Sequence, residues 1–208
     1  MPTFFDIETK PMTAEQLMGV MPAFNAPANI KDPSKISAAI ASKQASYIEK
    51  AALSPSSGIV QAIGVMSSGE DHICVSDEDE KSMLQWFWAT IEAEGSTTLV
   101  GWNILNFDLP FLVSRSWAHG IRVPILNYYV SYNRYTLPVL DLMQFMCLSR
   151  DTRTMSLSSA LMMTGLQPKA ETKGLLPYQL YEQDKDAFFD YLQRDVQALA
   201  DLYQRLSF

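Results

Sequence analysis

Apolar residues recur along this chain with two periods, two and about 3.6, and the changes between them mark the elements. Thr3 to Thr9 predicts a strand, with Phe5 and Ile7 on one face and Asp6 and Glu8 on the other. The alternation then stops. Residues 10–33 carry Pro11, Pro22, Pro27 and Pro33 and no sustained period. Ser34 to Leu53 predicts a helix with Ile36, Ile40 and Tyr47 on one stripe, closed by Ser54-Pro55-Ser56-Ser57-Gly58. The segment 10–57 therefore reads as a partly helical insertion within one domain spanning 1–208.

Beyond it, Ile59–Ser67 and His72–Ser76 predict two strands joined through Ser68-Gly69-Glu70 as an antiparallel hairpin. The acidic run Asp77-Glu78-Asp79-Glu80 precedes a helical pattern through Leu84, Phe87, Trp88 and Ile91, where acids suit the positive end of the helix dipole. Thr98–Asn103 predicts a strand, and Leu109–His119 a helix with Pro110 in its first turn and Gly120 after it. Val139–Leu142 predicts a buried strand and Ser156–Met163 a short helix. Asp186–Leu206 predicts the strongest helix of the chain. Strands interleaved with helices in this order describe an α/β domain with a mixed sheet, which by itself implies no function.

Composition narrows the class. At 208 residues with 48% apolar and 19% charged side chains the chain can bury a full core, which excludes disorder. No apolar stretch approaches the roughly 18 residues of a membrane span. An acid at position 6 does not suit a signal peptide, so a cytoplasmic location is expected. Cys74 and Cys147 lack the spacing of a disulfide framework or a zinc site. A net charge of −7 argues against a histone-type nucleic-acid binder, but not against an enzyme whose own carboxylates are neutralised by cations.

Four carboxylates in three segments stand out against this background. Asp6 and Glu8 share one face of the first strand, about 6.6–7 Å apart along it, where they suit either a solvated face or a divalent cation. On the last helix Phe188, Leu192, Leu199 and Leu202 form an apolar stripe into which Tyr191 and Asp195 fall. A buried Asp195 needs a basic partner, a group to cap, or a cation. Asp108 follows a core strand and precedes a helix, where taken singly it reads as an N-cap.

Together the three segments resemble the DEDD exonuclease superfamily. Phe5-Asp6-Ile7-Glu8-Thr9 is similar to its first motif, Asn103-x-x-x-Phe107-Asp108 to the second and Tyr191-x-x-x-Asp195 to the third, in the same order. The tyrosine four residues before the last Asp resembles the tyrosine-bearing (DEDDy) branch, which includes the proofreading exonuclease domains of family B DNA polymerases. The insertion, with Asn29-Ile30-Lys31-Asp32-Pro33 and Glu49-Lys50-Ala51-Ala52-Leu53-Ser54-Pro55, looks like those of stand-alone, often phage-encoded relatives.

The resemblance implies a ribonuclease H-like mixed sheet of about five strands flanked by helices. It also implies a 3′-to-5′ exonuclease acting on single-stranded DNA ends by two-metal phosphodiester hydrolysis. Asp6, Glu8, Asp108 and Asp195 would hold two divalent cations, Mg2+ or Mn2+, and Tyr191 would orient the water, its ordinary pKa near ~10 being too high for a general base at neutral pH. For substrate contacts it suggests Asn103, Phe107, Thr9 and Lys169, with local packing an equal reading for Asn103 and Phe107. Lys43 and Lys50 suit either phosphates or a core edge over which they snorkel, and Lys173 lies near Lys169. Asp141 reads as a structural polar group at a strand end. Two other readings stay open: an exoribonuclease using the same carboxylates, and a non-catalytic nucleic-acid-binding scaffold of the same fold. A polymerase or replication partner would be a separate polypeptide, since 13 residues follow Asp195.

Overall fold

Strand β1 (Thr3–Pro11) sends Phe5 and Ile7 into one apolar cluster and Phe4 into another, as strand alternation requires. The computed structural model describes residues 2–67, 70–75, 79–94, 98–124, 138–148, 154–168, 172 and 175–206. Along the chain β1 is followed by α1 (Ala14–Val20), α2 (Pro33–Glu49), β2 (Gly58–Ser67), β3 (Glu70–Val75), α3 (Glu80–Ala93), β4 (Leu99–Gly101) and α4 (Asp108–Ala118). Then come β5 (Val139–Asp141), α5 (Leu142–Cys147), α6 (Leu157–Met163), α7 (Pro177–Gln183) and α8 (Lys185–Arg205). The chain divides into two compact units, Met1–Glu8 with Val60–Phe208, and Thr9–Ile59.

In the first unit the strands form one five-stranded mixed sheet in the order β3-β2-β1-β4-β5. β1 is its middle strand. It runs parallel to β4, with Thr3 opposite Leu99 and Phe4 opposite Val100, and β4 runs parallel to β5, with Gly101 opposite Asp141. β2 and β3 form the antiparallel hairpin, Ser67 opposite Glu70. On one face Phe5, Ile7, Ile63 and Val65 pack with Leu84, Phe87 and Trp88 of α3 and Leu112 of α4. On the other, Phe4, Met66 and Val100 pack with Leu161 of α6 and Val196, Leu199 and Leu202 of α8. Gly64 lets α8 approach the sheet: a Cβ there would lie 2.8 Å from Val196 Cγ2 and 3.1 Å from Leu192 Cγ.

Several elements depart from expectation. Helices α5 and α7 lie where none was expected, and the strand expected to be buried over Val139–Leu142 is half-buried at Val139 and Leu140 and stops at Asp141, which caps α5. The strand expected over Thr98–Asn103 is confined to Leu99–Gly101, because Asn103 turns the chain with a positive φ of 61°. Helix α1 lies in the stretch read as irregular. It buries only Leu17, too little for a period, and its signal is a capping box in which Thr13 and Gln16 exchange side-chain and backbone bonds of 3.3 and 3.0 Å.

The second unit continues from β1 through α1 and α2, with Asp32 capping α2 from Ser34 N at 2.8 Å and Pro33 in the first turn. It closes on Met12 N donating to Ser57 O at 3.0 Å.

Asp79 caps α3 by accepting from Ser82 N. The next acid, Glu80, is buried, although its place at a helix start suggests only a helix-end charge. It accepts from Arg115 Nη2 at 2.7 Å and Arg115 Nε at 3.0 Å, contacts His119 Nε2 at 2.7 Å, and accepts from Val60 N at 2.8 Å. Burial pushes the Glu80 carboxyl up, but the bonds from Arg115, His119 and Val60 outweigh it and hold the group below its ordinary value. A lowered folded pKa contributes stability that is complete above the unfolded value of about 4.3 and is lost as pH falls through the folded value. Arg115→Leu should therefore cost about 3–5 kcal/mol at pH 7 by leaving Glu80 buried without its main partner. That cost should shrink on acidification. Urea unfolding of both proteins at neutral and acid pH checks this, and a cost independent of pH would mean that lost packing, not charge, is responsible.

Candidate functional site

The pleat that sends Phe5 and Ile7 to α3 and α4 sends Asp6 and Glu8 to the α8 face. Helix α8 supplies the opposite wall. Phe188, Leu192, Val196, Leu199 and Leu202 are all buried on it, and this stripe carries Tyr191 and Asp195 inward, Asp195 to 1% exposure. Oxygens of Asp6, Glu8 and Asp195 consequently all lie within 4.8 Å of one another. Asp6 and Glu8 are half-buried. An all-oxygen set fits Mg2+ or Mn2+ by ligand type.

Asp108 is not one of these three. It is the first residue of α4, the capping position falls to Phe107 with no side-chain bond, and the simple N-cap reading therefore does not describe it. Its Oδ1 accepts from Ile7 N at 3.2 Å. The odd-numbered N–H groups of β1 point toward β4, as Thr3 N donating to Thr98 O shows, and β4 ends at Gly101, so Asp108 takes the donor that the short strand leaves over. Asp108 is 3% exposed. Burial first, and then the neighbouring Asp6 charge, push it well above the usual carboxylate range, against the bonds from its own N–H and from Ile7.

The loop from Gly101 to Asp108 is fixed by Asp141. Its Oδ1 accepts from Asn103 N at 3.0 Å and Met143 N at 3.1 Å, and its Oδ2 from Leu105 N at 3.1 Å. Asp141 thus caps α5 and holds the loop that leads to Asp108. Gly101 begins this turn with no room for a side chain, since a Cβ would lie 2.3 Å from Ile104 Cγ2. The residues expected as substrate contacts have the following local partners. Asn103 Oδ1 accepts from Asn106 Nδ2 at 3.0 Å, and the Phe107 ring lies 5.7 Å from that of Phe111. Thr9 is buried in the second unit and donates to Ala52 O at 2.7 Å. Lys169 and Lys173 lie outside the described residues.

With this geometry in place, comparison with known proteins becomes decisive for the family. Residues 60–207 match the predicted 3′-5′ exonucleases related to the exonuclease domain of PolB. The chain belongs to this family. The match begins at Val60, so Asp6 and Glu8 precede it. The chain is also 40% identical over 76 residues to an uncharacterized protein of Methanocaldococcus jannaschii, covering 36% of this chain and 42% of that protein. Among solved structures it is similar to the family B DNA polymerase of the hyperthermophilic archaeon Pyrobaculum calidifontis. The TM-score is 0.60 at 15% identity, over 98% of this chain and 24% of the polymerase. The chain thus spans less than half of the first relative and about a quarter of the second, and the second likeness is one of fold. That fold is the mixed α/β sheet flanked by helices expected from the sequence. A family of predicted exonucleases and a trio of carboxylates agree in suggesting use of a divalent cation. Among the described residues no helix is long and apolar enough to cross a membrane.

If the clustered carboxylates repel, removing one should help the cation-free protein. Asp6→Asn should be more stable than the parent by about 1 kcal/mol in EDTA, a value discounted for the exposure of Asp6. Mn2+ at about a hundred times its Kd should stabilise the parent by about 2.7 kcal/mol and the variant far less. Thermal melts with and without Mn2+ read both effects. A variant less stable in EDTA would show that Asp6 is held by favourable contacts that outweigh the repulsion.

Proposed function

We propose that this protein is a divalent-cation-dependent 3′-to-5′ exonuclease that removes nucleotides from single-stranded DNA ends. The observation that carries the reading is the convergence of Asp6, Glu8 and Asp195 from the middle strand and the last helix, with buried Asp108 beside Asp6. Bound divalent cations would supply what phosphodiester hydrolysis needs, an acidified water and positive charge against the attacking and leaving oxygens. Asp6, Glu8, Asp195 and Asp108 would hold them. Tyr191, one helical turn before Asp195 and almost fully buried, is assigned to orienting the attacking water through its hydroxyl. Asn103 and Phe107, on the loop that Asp141 fixes, are assigned to contacts with the terminal nucleotide.

DNA as substrate is favoured by the family's relation to a DNA polymerase domain, and a separate polymerase or replication partner would fit the same relation. Matched end-labelled DNA and RNA oligonucleotides, digested with Mn2+ and with EDTA, test the reading. Stepwise shortening from the 3′ end of DNA, lost in EDTA, is expected. Faster loss of RNA would make the protein an exoribonuclease, and no cleavage of either would leave a binding scaffold. Asp108→Asn and Asp195→Asn should each lower the rate at least about a hundredfold with the fold intact, the scale of losing one preorganised charge-stabilising group. Tyr191→Phe should lower it about tenfold while Mn2+ binding by calorimetry stays unchanged. Wild-type turnover in Asp108→Asn would remove that residue from the cation site.

A further inference from the structure

Charge is unevenly divided between the two units. Residues 9–59 hold five lysines and three acids, a net +2, in a chain whose total is −7. The same unit contains a cavity of about 340 Å3 lined by Phe24, Tyr47, Lys43, Lys50 and three serines, Ser46, Ser54 and Ser57. Its wall is mainly apolar. The Phe24 and Tyr47 rings meet edge to face with centroids 5.8 Å apart, which leaves ring surface for a flat ligand. Both lysines are exposed, and Lys43 Nζ is steadied by the Asn25 carbonyl at 2.8 Å.

Helix α2, which contributes Lys43, Ser46 and Tyr47, buries none of its 17 residues, although Ile36, Ile40 and Tyr47 are half-covered. A helix of that length ordinarily draws its stability from an apolar face packed against something. A cavity of this size falls at the lower end of small-ligand sites and is large enough for one nucleobase. An aromatic pair with two flanking cations and hydroxyls is the chemistry that takes up a single-stranded oligonucleotide, with the base against a ring and the phosphates on ammonium groups. A phosphate chain is also the polymer that the local positive charge would draw to an otherwise acidic protein.

We propose that the Thr9–Ile59 unit is a second nucleic-acid-binding site, which seats one base of a single strand against Phe24 and Tyr47 and its flanking phosphates on Lys43 and Lys50. The choice of ligand rests on the exonuclease reading, while the pocket is separate from the carboxylate residues of that reading.

Fluorescence anisotropy of the full chain with labelled 15-nucleotide oligomers, in EDTA so that no cleavage occurs, tests it. DNA and RNA arms distinguish the two sources of the same chemistry. Tyr47→Ala should weaken binding about tenfold and Tyr47→Phe should restore it, as base stacking requires. The pair Lys43→Ala with Lys50→Ala should weaken binding and flatten the dependence of log Kd on log salt by about 1.4, the slope of two single-strand phosphate contacts. Circular dichroism verifies that each variant is folded. Parent-like affinity in these variants, or inorganic polyphosphate competing as well as the oligomer, would overturn the base pocket. Digestion by the parent protein is scored separately. A protein that binds through this pocket but does not cleave would refute the exonuclease reading alone, and one that cleaves but binds independently of Tyr47 and the lysines would refute the pocket alone.

Discussion

Three carboxylates that packing brings within 4.8 Å of one another are the constraint around which this structure is arranged. Where two of them are ionised at that separation they repel by about 3.5 kcal/mol at an effective dielectric near 20, less where solvent reaches them. Three such groups converge, and Asp108 is buried beside one of them. The opposing work is done by apolar burial on both sides of β1. Phe5 and Ile7 anchor the strand from one face, and Phe4 with the α8 stripe from the other. Gly64 permits the close approach of α8 on which the position of Asp195 depends.

Much of this arrangement was legible in the residues because it depends on local periodicity. The alternation of Phe5, Asp6, Ile7 and Glu8 already assigns two carboxylates to one face of a strand. The stripe from Phe188 to Leu202 already carries Asp195 toward a core. Features that depend on partners distant in sequence were not legible. Glu80 looks like any acid at a helix start until Arg115 and Val60 are brought to it. Asp108 looks like a cap until the early end of β4 leaves Ile7 N without a strand partner. Helix α1 was invisible to periodicity because one buried residue makes no period, although its capping box was written in Thr13 and Gln16.

The contrast between Asp108 and Asp141 shows how two aspartates at helix starts come to differ. Asp141 meets the N–H groups of Asn103, Leu105, Met143 and Gln144, so the backbone itself compensates its charge. Asp108 is buried to the same degree but receives only its own N–H and that of Ile7, beside the Asp6 carboxylate. These two backbone donors do not offset its burial and the neighbouring Asp6, and its raised pKa favours the proton. For a carboxyl raised on folding, the folded state binds more protons than the unfolded one between the two pKa values, so stability falls as pH rises through that interval. A divalent cation would reverse this by competing with the proton for the same oxygens. What separates the structural aspartate from the candidate ligand is thus the number of backbone donors each one meets, a quantity set by where β4 ends and α5 begins.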